Sequence, residues 1–378
     1  MVLDIVESRY DRQERISWWD QSRLRDAHVL VIGAGALGNE IVKNLALVGV
    51  GWIDIVDMDA IEHTNLARCA LFRDDDAGRW KAEALAEAAM RLNPDVAARS
   101  FVCRVQELGS AWLDDYDVVL AGLDSREARL WVNAACRRLG KPWIDGAIEG
   151  LQGIVRMFDS QGACYDCTLG EAERAAISHR RSCALLSPEE IIAGRTPTNA
   201  TTASVVAALE VQEAIKLIVG RVDLLSLRGR VWRLDGETMF TTTMDYVEDP
   251  DCMSHDVIEE RVQPAQGAQT LAEALHPVVE AAGAPLEVVY APDDVIVIEP
   301  CAACGSGDHI VGLRPMLALG AGLCATCGAE LPMTSRTALA ADDPLLSTSW
   351  NHWRWPRAEF VTCLVGGRYF AVRMEGAQ

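Results

Sequence analysis

The sequence predicts an α/β protein in two parts: a doubly wound, Rossmann-like domain over residues 1–255 and a smaller α+β domain over residues 256–378. Three observations support this fold class. A short apolar run leads through a glycine-rich turn into a helix, strand-like and helix-like segments then alternate, and paired cysteines appear after residue 256. A chain of 378 residues is long enough for two or three domains with a sizeable core.

The first β-α-β unit starts with the apolar residues 28–32, which predict a buried strand. The turn Gly33-Ala-Gly-Ala-Leu-Gly38 follows, and Ile41, Leu45 and Val48 then recur at the spacing of a helix. The same rhythm continues along the chain and predicts a parallel sheet. Further strands are predicted over residues 52–56, 96–105, 117–121 and 142–146, and further helices over residues 81–92, 125–139 and 201–219.

Residues 162–197 interrupt this rhythm. They are polar and irregular and contain three cysteines, which predicts a long crossover loop with a functional role. The pattern after residue 256 predicts one helix, two short strands and a closing hairpin around Gly366-Gly367. These elements are expected over residues 271–282, 286–290, 295–298, 359–365 and 368–374. The nearby Trp350, Trp353 and Trp355 suit either an interface or a small core.

The composition narrows the classes of function. Fifty-five acidic residues against 35 basic ones give a net charge of −20, which argues against nucleic acid as the main partner and favours a basic protein. No apolar run reaches the roughly 18 to 20 residues that span a bilayer, so no membrane role is expected. Residues 1–11 carry acids where a signal peptide needs basic and apolar residues, which predicts a cytoplasmic protein with reduced cysteines.

The glycine turn predicts a phosphate-binding site. Gly33, Gly35 and Gly38 allow the backbone to approach a phosphate, and the following helix directs its N-terminal N–H groups at the anion. Asp57 lies 19 residues beyond Gly38 and, with Asp59, follows the second predicted strand, where an acid accepts hydrogen bonds from a ribose. These features fit a nicotinamide cofactor and ATP equally well.

Additional polar residues favour ATP. Arg68 and Lys81 can neutralise charge that builds on a phosphoryl group during transfer, and Asn65 accompanies them, whereas a dehydrogenase has no need of extra cations beside its pyrophosphate. Asp124 follows the strand predicted at residues 117–121 and can hold Mg²⁺ through a carboxylate oxygen. Its alternative role is to cap the next helix.

At these residues the sequence resembles the activating-enzyme superfamily, which includes the adenylyltransferases of the molybdopterin and thiamine pathways. It resembles in particular the catalytic subunits of enzymes that activate ubiquitin-like proteins, and the resemblance covers roughly residues 9–255. The motifs that carry it are Arg9-Tyr-Asp-Arg-Gln13, Gly33 to Gly38, Asn65-Leu-Ala-Arg68, Gly122-Leu-Asp-Ser125, Ala128-Arg-Leu-Trp-Val-Asn133, Ile144-Asp-Gly146 and Thr198-Asn-Ala200.

The resemblance implies that a set of polar residues binds ATP and magnesium, namely Asp57, Asn65, Arg68, Lys81 and Asp124. It also implies that Arg12 reaches into the site of a partner protomer, so that the protein acts as a dimer, expected to be a homodimer. Two positions depart from the family pattern. Ala36 stands where a glycine is usual, and Cys69 stands where the family usually has a glutamine beside the phosphates, so the sequence leaves the phosphate contact at position 69 open.

Eight residues predict two zinc sites. Cys301 and Cys304 precede a second CxxC pair, Cys324 and Cys327, after 19 intervening residues, which is the pattern of a zinc ribbon. The pair Cys164 and Cys167 needs two more ligands, and the unclaimed residues with suitable spacing are Cys252 and His255. In the enzymes that this sequence resembles, the first pair joins a later CxxC, so a rival assignment uses one of the two ribbon pairs instead. Both sites are expected to be structural, because four protein ligands leave no open position.

Cys183 is the predicted nucleophile. It belongs to no pair, and Arg180 and Arg181 precede it, where two guanidinium groups favour the thiolate. It follows Cys167 by 16 residues, and in the resembling catalytic subunits the thioester cysteine lies at a similar distance within the crossover loop. A buried loop cysteine is the alternative reading.

The predicted reaction is ATP-dependent activation of a ubiquitin-like protein that ends in glycine. Its terminal carboxylate is adenylated, Cys183 then captures it as a thioester, and a conjugating enzyme receives it, as the resemblance implies. A sulfur-carrier adenylyltransferase that stops at the acyl adenylate is the main alternative. An NAD-dependent oxidoreductase and a non-catalytic zinc scaffold are alternatives from other classes.

Overall fold

Two compact units make up the computed structural model of the protein, which describes residues 8–170, 172–174, 197–255, 260–318 and 320–376. The first unit contains the described residues of 8–105, 115–169 and 197–255. Its strands are β1 His28–Ile32, β2 Trp52–Val56, β3 Ala97–Phe101, β4 Val118–Ala121, β5 Trp143–Glu149, β6 Gln152–Phe158, β7 Arg230–Asp235 and β8 Phe240–Asp245. The described helices up to residue 218 include α1 Gln21–Asp26, α2 Ala36–Val48, α3 Lys81–Leu92, α5 Arg126–Leu139 and α6 Ala200–Ile218, together with the single turn α4 Val105–Leu108, whose residues 106–108 belong to the second unit.

The strands of the first unit form one mixed sheet in the order β3-β2-β1-β4-β5-β6-β7-β8. The first five strands are parallel, and the last three are antiparallel to their neighbours. Strands β1 and β4 lie at the centre of the sheet. Every residue of β4 is buried, which agrees with its apolar sequence, since a strand that is covered on both faces needs apolar side chains on both. The predicted doubly wound α/β architecture is therefore confirmed for this unit.

The helices end where local sequence signals require it. Helix α2 ends at Gly49 and α5 ends at Gly140, and both glycines adopt the left-handed conformation of a helix C-cap. Helix α6 begins after Asn199, whose side chain accepts the Thr202 N–H. Apolar residues of α2, α3 and α6, among them Ile41, pack against the sheet and form the core of the unit.

Two sequence-based expectations for this sheet were wrong or incomplete. The strand predicted over residues 96–105 ends at Phe101, and residues 105–108 form a helical turn. Strands β6, β7 and β8 were not predicted. Strand β8 shows most clearly why they were missed. All of its residues are exposed or half-buried, and it contains the threonine run 241–243 instead of an apolar run, so no apolar pattern indicates a strand there.

The second unit contains residues 106–114, 170 and 172–174 and all described residues from 260 onward. Its elements are α7 Leu271–Ala282, β9 Arg261–Val262, β10 Leu286–Ile298, β11 Ile310–Leu313, β12 Met333–Ala340, β13 Trp353–Arg354, β14 Ala358–Val365 and β15 Arg368–Glu375. The sheet order is β13-β11-β10-β14-β15-β9, with β12 also paired to β10. The two predicted strands over 286–298 form one strand, which bulges between Tyr290 and Val295. The predicted closing hairpin is confirmed, with Gly366 and Gly367 at φ values of 58° and 73°.

The tryptophan cluster of the second unit belongs to its core. Trp353 and Trp355 are buried, with ring centroids 5.7 Å apart, and the partly buried Trp350 packs against the same cluster. The small-core interpretation of these residues is therefore correct and the interface interpretation is not. Among the helices in the described ranges, none is both long and apolar enough to cross a membrane.

Candidate nucleotide and metal sites

The candidate nucleotide site lies at the carboxyl ends of the central strands of the first unit. The chain runs outward from β1 through β2 to β3 on one side, and β4 and β5 continue on the other, so β1 and β4 flank a topological switch point. Gly33 follows β1, Asp57 follows β2 and Gly122 follows β4. Ligands of open α/β sheets bind in the crevice at such a point.

The three glycines of the turn have two structural roles: close backbone packing and space for a ligand. Gly33 has a φ of 96°, and a Cβ atom there would lie 2.6 Å from the Gly122 carbonyl oxygen. A Cβ atom at Gly38 would lie 1.8 Å from the Gly33 carbonyl oxygen, so these two glycines are required for close backbone packing. Gly35, the N-cap of α2, would instead project a Cβ atom into open space. Its missing side chain therefore leaves room for a ligand at the N-terminus of a 13-residue helix.

Asp57 joins the glycine turn to the end of β2. Its Oδ2 accepts the Ala34 N–H at 2.7 Å and its Oδ1 accepts the Asp59 N–H at 2.8 Å. Burial raises the pKa of the Asp57 carboxyl, while the hydrogen bond from Ala34 and the charge of Lys81 oppose that rise. The carboxylate therefore orders the turn.

The charge of Lys81 acts on this carboxylate, and Arg68 and Lys81 both act on the nearby Cys69. The Lys81 Nζ is 2.8 Å from the Asp59 Oδ2, and the lysine side chain is only 11% exposed. The Arg68 Nη1 donates to the Thr64 carbonyl oxygen at 3.0 Å. The charges of Arg68 and Lys81 both lower the pKa of Cys69, although burial is the larger effect and raises it to about 11. Cys69 is therefore a neutral thiol, and it packs in the core of the unit.

A buried asparagine that sequence reasoning missed connects the turn to the segment with Asn65 and Arg68. The Asn39 Nδ2 donates to the Ala34 carbonyl oxygen at 2.9 Å, and its Oδ1 accepts the Leu71 N–H at 3.0 Å. The buried Asn65 accepts the Glu62 N–H through its side chain. The position of Asn39 one residue after Gly38 is the sequence signal that was available.

The remaining predicted catalytic residues differ in how they are placed. Asp124 is exposed, and Ser125 caps α5 by accepting the Ala128 N–H, so the helix-capping role proposed as an alternative for Asp124 belongs to its neighbour. Arg12 is exposed and immediately precedes the short 3-10 helix Gln13–Arg15. Cys183, Arg180 and Arg181 lie outside the described residues.

The first cluster of potential metal ligands lies in the first unit. The Cys164 Sγ is 3.8 Å from the Cys167 Sγ and 3.7 Å from the Cys252 Sγ, and the Cys167 Sγ is 3.2 Å from the His255 Nε2. All four ligand atoms lie within 4.8 Å of one another. The structure therefore groups the first cysteine pair with Cys252 and His255 and not with a ribbon pair.

The second cluster lies in the second unit and consists of Cys301, Cys304, Cys324 and Cys327. The Cys301 and Cys327 Sγ atoms are 3.6 Å apart, as are those of Cys304 and Cys324. A glycine with positive φ follows each CxxC pair, Gly305 at 70° and Gly328 at 73°, and its N–H donates to the first cysteine carbonyl. Such tight turns hold the two sulfur atoms of a pair on one side.

Both clusters have the chemistry of a closed zinc site. Thiolate and imidazole are the ligands that Zn²⁺ prefers, and four protein ligands complete its tetrahedral shell. The described residues of each cluster therefore fit a structural zinc ion and leave no ligand position for a substrate.

Comparison with known proteins identifies relatives of the first unit. The ThiF family model matches residues 10–254. The chain is 32% identical over 265 residues to a SAMP-activating enzyme E1 of Haloferax volcanii. This match covers 67% of this chain and 91% of that protein. It is 38% identical over 160 residues to a NEDD8-activating enzyme E1 catalytic subunit of Caenorhabditis elegans, covering 39% of this chain and 37% of that protein.

The fold is similar to that of a solved structure of Escherichia coli MccB with ATP. The TM-score is 0.54, the identity is 24%, and the match covers 66% of this chain and 74% of that one.

Proposed function

Because the chain belongs to the ThiF family of E1-like adenylyltransferases, we propose that it uses ATP to adenylate the C-terminal carboxylate of a ubiquitin-like protein that ends in glycine. One observation carries this proposal. Three features lie together after adjacent strands at the switch point of the sheet. The helix N-terminus at Gly35, which is open to a ligand, follows β1, and the Asp57 carboxylate and the Asp59–Lys81 ion pair follow β2. This arrangement supplies positive potential for phosphates and an acid for a ribose.

In the proposed first step, a carboxylate oxygen of the partner attacks the α-phosphorus of ATP and the bond to the β-phosphate oxygen breaks. The products are an acyl adenylate and pyrophosphate. Lys81, Arg68 and the N–H groups at the start of α2 would stabilise the charge that develops on the phosphates. Asp124 would hold Mg²⁺, which neutralises phosphate charge when bound.

In the proposed second step, the Cys183 thiolate attacks the acyl carbon, the bond to the adenylate oxygen breaks, and AMP leaves. A thioester results, and a conjugating enzyme would receive the partner from it. The likeness to E1 enzymes named for SAMP and NEDD8 supports this extension. An enzyme that stops at the acyl adenylate is the alternative, and only the second step distinguishes the two.

Three further features complete the proposal. Arg12 would reach into the site of a second protomer, so the active form would be a homodimer. One zinc ion would bind to the cluster of the first unit and one to the cluster of the second. Zinc in both clusters would stabilise the fold and take no part in the reaction.

The site assignment is tested by Asp124→Ala, assayed by ATP–pyrophosphate exchange with purified ubiquitin-like proteins from the same organism. Loss of the magnesium ligand should lower the exchange rate about 100- to 1,000-fold. Asp342→Ala is the matched control, since Asp342 is an exposed aspartate of the second unit, and it should exchange at the wild-type rate. Exchange by the Asp124 variant near the wild-type rate would refute the assignment.

A further inference from the structure

Helix α5 presents two buried polar side chains to the metal cluster of the first unit. Asn133 and Arg137 are four residues apart and therefore lie on one face of the helix. The Asn133 Oδ1 accepts the N–H of Tyr165, the residue after Cys164, at 2.8 Å. The Arg137 Nη1 donates to the carbonyl oxygens of Asp159 and Gly162, each at 3.0 Å. Both side chains therefore hold the segment that leads into the first cysteine pair.

These side chains also retain unused hydrogen-bonding capacity. Asn133 is fully buried and Arg137 is only 7% exposed. In the described part of the chain, neither the Asn133 Nδ2 nor the Arg137 Nε has a hydrogen-bond partner. A buried donor without a partner is unfavourable, and a thiolate at Cys164 would supply an acceptor for the amide of Asn133.

A second chain of contacts reaches the histidine of the cluster. The His255 Nε2 faces the Cys167 Sγ at 3.2 Å, while the His255 Nδ1 lies 3.6 Å from the Glu248 Oε1. The same oxygen lies 3.8 Å from the Arg137 Nη2. If Nε2 binds a metal, Nδ1 carries the proton, and its N–H points at the carboxylate. Glu248 is 49% exposed, so its side chain has room to shorten this contact to a hydrogen bond.

Two other carboxylates, Asp166 and Asp249, lie near enough to the cluster for their charges to oppose the lowering of the His255 pKa that burial causes. The Asp166 Oδ2 accepts the Ser254 hydroxyl at 3.0 Å and lies 3.8 Å from the Cys252 Sγ. Asp166 therefore supports the turn between Cys252 and His255, and Glu248 has the largest electrostatic effect on His255 among these three carboxylates.

We propose that Asn133, Arg137 and Glu248 are positioning residues that form a second coordination shell around a three-cysteine, one-histidine zinc site. Asn133 donates to the Cys164 thiolate. Arg137 holds Glu248, and Glu248 accepts the Nδ1–H of His255 and so selects the tautomer and ring orientation that bind zinc. Residues in this position change metal affinity about 10- to 100-fold in other metal sites.

The inference rests on the proposal that this cluster holds zinc, and the experiment separates the two. Zinc bound to the full chain is titrated at equilibrium with a competing chromogenic chelator, and the Cys252→Ser variant identifies the phase of the titration that belongs to this site. Glu248→Ala should raise the dissociation constant of that phase at least about 10-fold, and Glu248→Gln, which keeps an acceptor, should restore most of the affinity. A wild-type chain without zinc in this cluster would refute the metal proposal itself.

The matched control is Glu280→Ala. Its carboxylate lies 3.6 Å from the His276 Nδ1, the same separation as in the proposed pair, but both side chains are exposed on the surface of helix α7. It should leave zinc affinity unchanged. If Glu248→Ala also leaves the affinity unchanged, or lowers only the thermal stability, the second shell is refuted while the zinc site stands.

Cobalt substitution tests the role of Asn133. Co²⁺ replaces zinc in such sites, and its sulfur-to-metal charge-transfer bands report the electron density on the thiolates. Asn133→Ala should shift these bands at wild-type cobalt occupancy, because a hydrogen bond to sulfur is lost, and Asn133→Gln should partly restore them. Bands identical to the wild type would overturn this part of the proposal.

Discussion

Glu210 on α6 has a fully buried carboxyl group, and neither of its oxygens makes a hydrogen bond in the described part of the chain. A Cβ atom at position 146 would lie 2.4 Å from its Oε2, so Gly146 makes room for it. Burial raises the pKa of Glu210 well above its ordinary value, the charge of Asp145 raises it further, and Arg129 opposes the rise. Burial therefore favours the protonated form of Glu210 in the folded state.

This pKa shift predicts how stability depends on pH. Above about pH 4.3 the unfolded chain loses the Glu210 proton while the folded chain keeps it, so the folded state binds more protons. The free energy of unfolding should therefore fall as pH rises towards the folded-state pKa. Glu210→Gln, which cannot ionise, should raise the free energy of unfolding more at about pH 8 than at about pH 5, as measured by denaturant titration at both values.

Glu213→Gln is the comparison for this prediction. Glu213 lies on the same helix, but it accepts the Ser226 N–H at 2.9 Å and pairs with Lys216. Removing its charge should destabilise the fold and give no gain at high pH. An equal effect of Glu210→Gln at both pH values would contradict the protonated state of Glu210.

At the scale of elements, the short helix Met253–His255 connects two ligands of the first metal cluster. If each cluster holds one ion, elemental analysis of the purified chain should find two zinc ions, and Cys252→Ala should leave one. The expected loss follows because three remaining ligands cannot close a tetrahedral shell. Cys363→Ala is the control, since Cys363 is a buried cysteine of β14 outside both clusters, and it should retain both ions. A zinc content of one that is insensitive to Cys252 would refute the assignment.

At the scale of the whole molecule, the proposed homodimer predicts complementation between two inactive variants. Arg12→Ala and Asp124→Ala chains should each lose ATP–pyrophosphate exchange when assayed alone. Mixed after subunit exchange, they should recover up to about a quarter of the wild-type rate, because a mixed dimer can assemble one complete site from Arg12 of one chain and Asp124 of the other. Size-exclusion chromatography should confirm that the mixture is dimeric, and an absence of recovery in mixed dimers would refute Arg12 sharing.

The complete reaction predicts a covalent intermediate. Enzyme, ATP, magnesium and a ubiquitin-like partner should give an adduct that survives denaturing electrophoresis without thiol and disappears on addition of reductant, as a thioester must. Cys183→Ala should abolish the adduct and retain pyrophosphate exchange, because the thiol acts after the adenylate forms. Cys136→Ala is the control, because Cys136 is fully buried in α5. If exchange occurs but no reducible adduct ever forms, the enzyme stops at the acyl adenylate.

Local signals in the sequence determined much of the first unit. Helix α3 spans residues 81–92 as predicted, because its apolar face repeats at helical spacing. The glycine turn 33–38 and the acid at position 57 were recognised because both signals are local. Tight backbone packing requires glycines at fixed spacing, and the acid follows the next strand about 20 residues later. The same locality explains the correct hairpin at Gly366 and Gly367.

Contacts between distant residues were decided only by the tertiary structure. The Cys164 and Cys252 sulfur atoms meet across 88 positions, and the sequence alone allowed a rival pairing. Strand β8 joins the sheet through backbone hydrogen bonds although its side chains are largely exposed, so it has no apolar pattern to reveal it. The burial of Glu210 and the environment of His255 depend on residues from several elements. Such environments have no periodic trace in the sequence, because packing brings their members together only when the chain is folded.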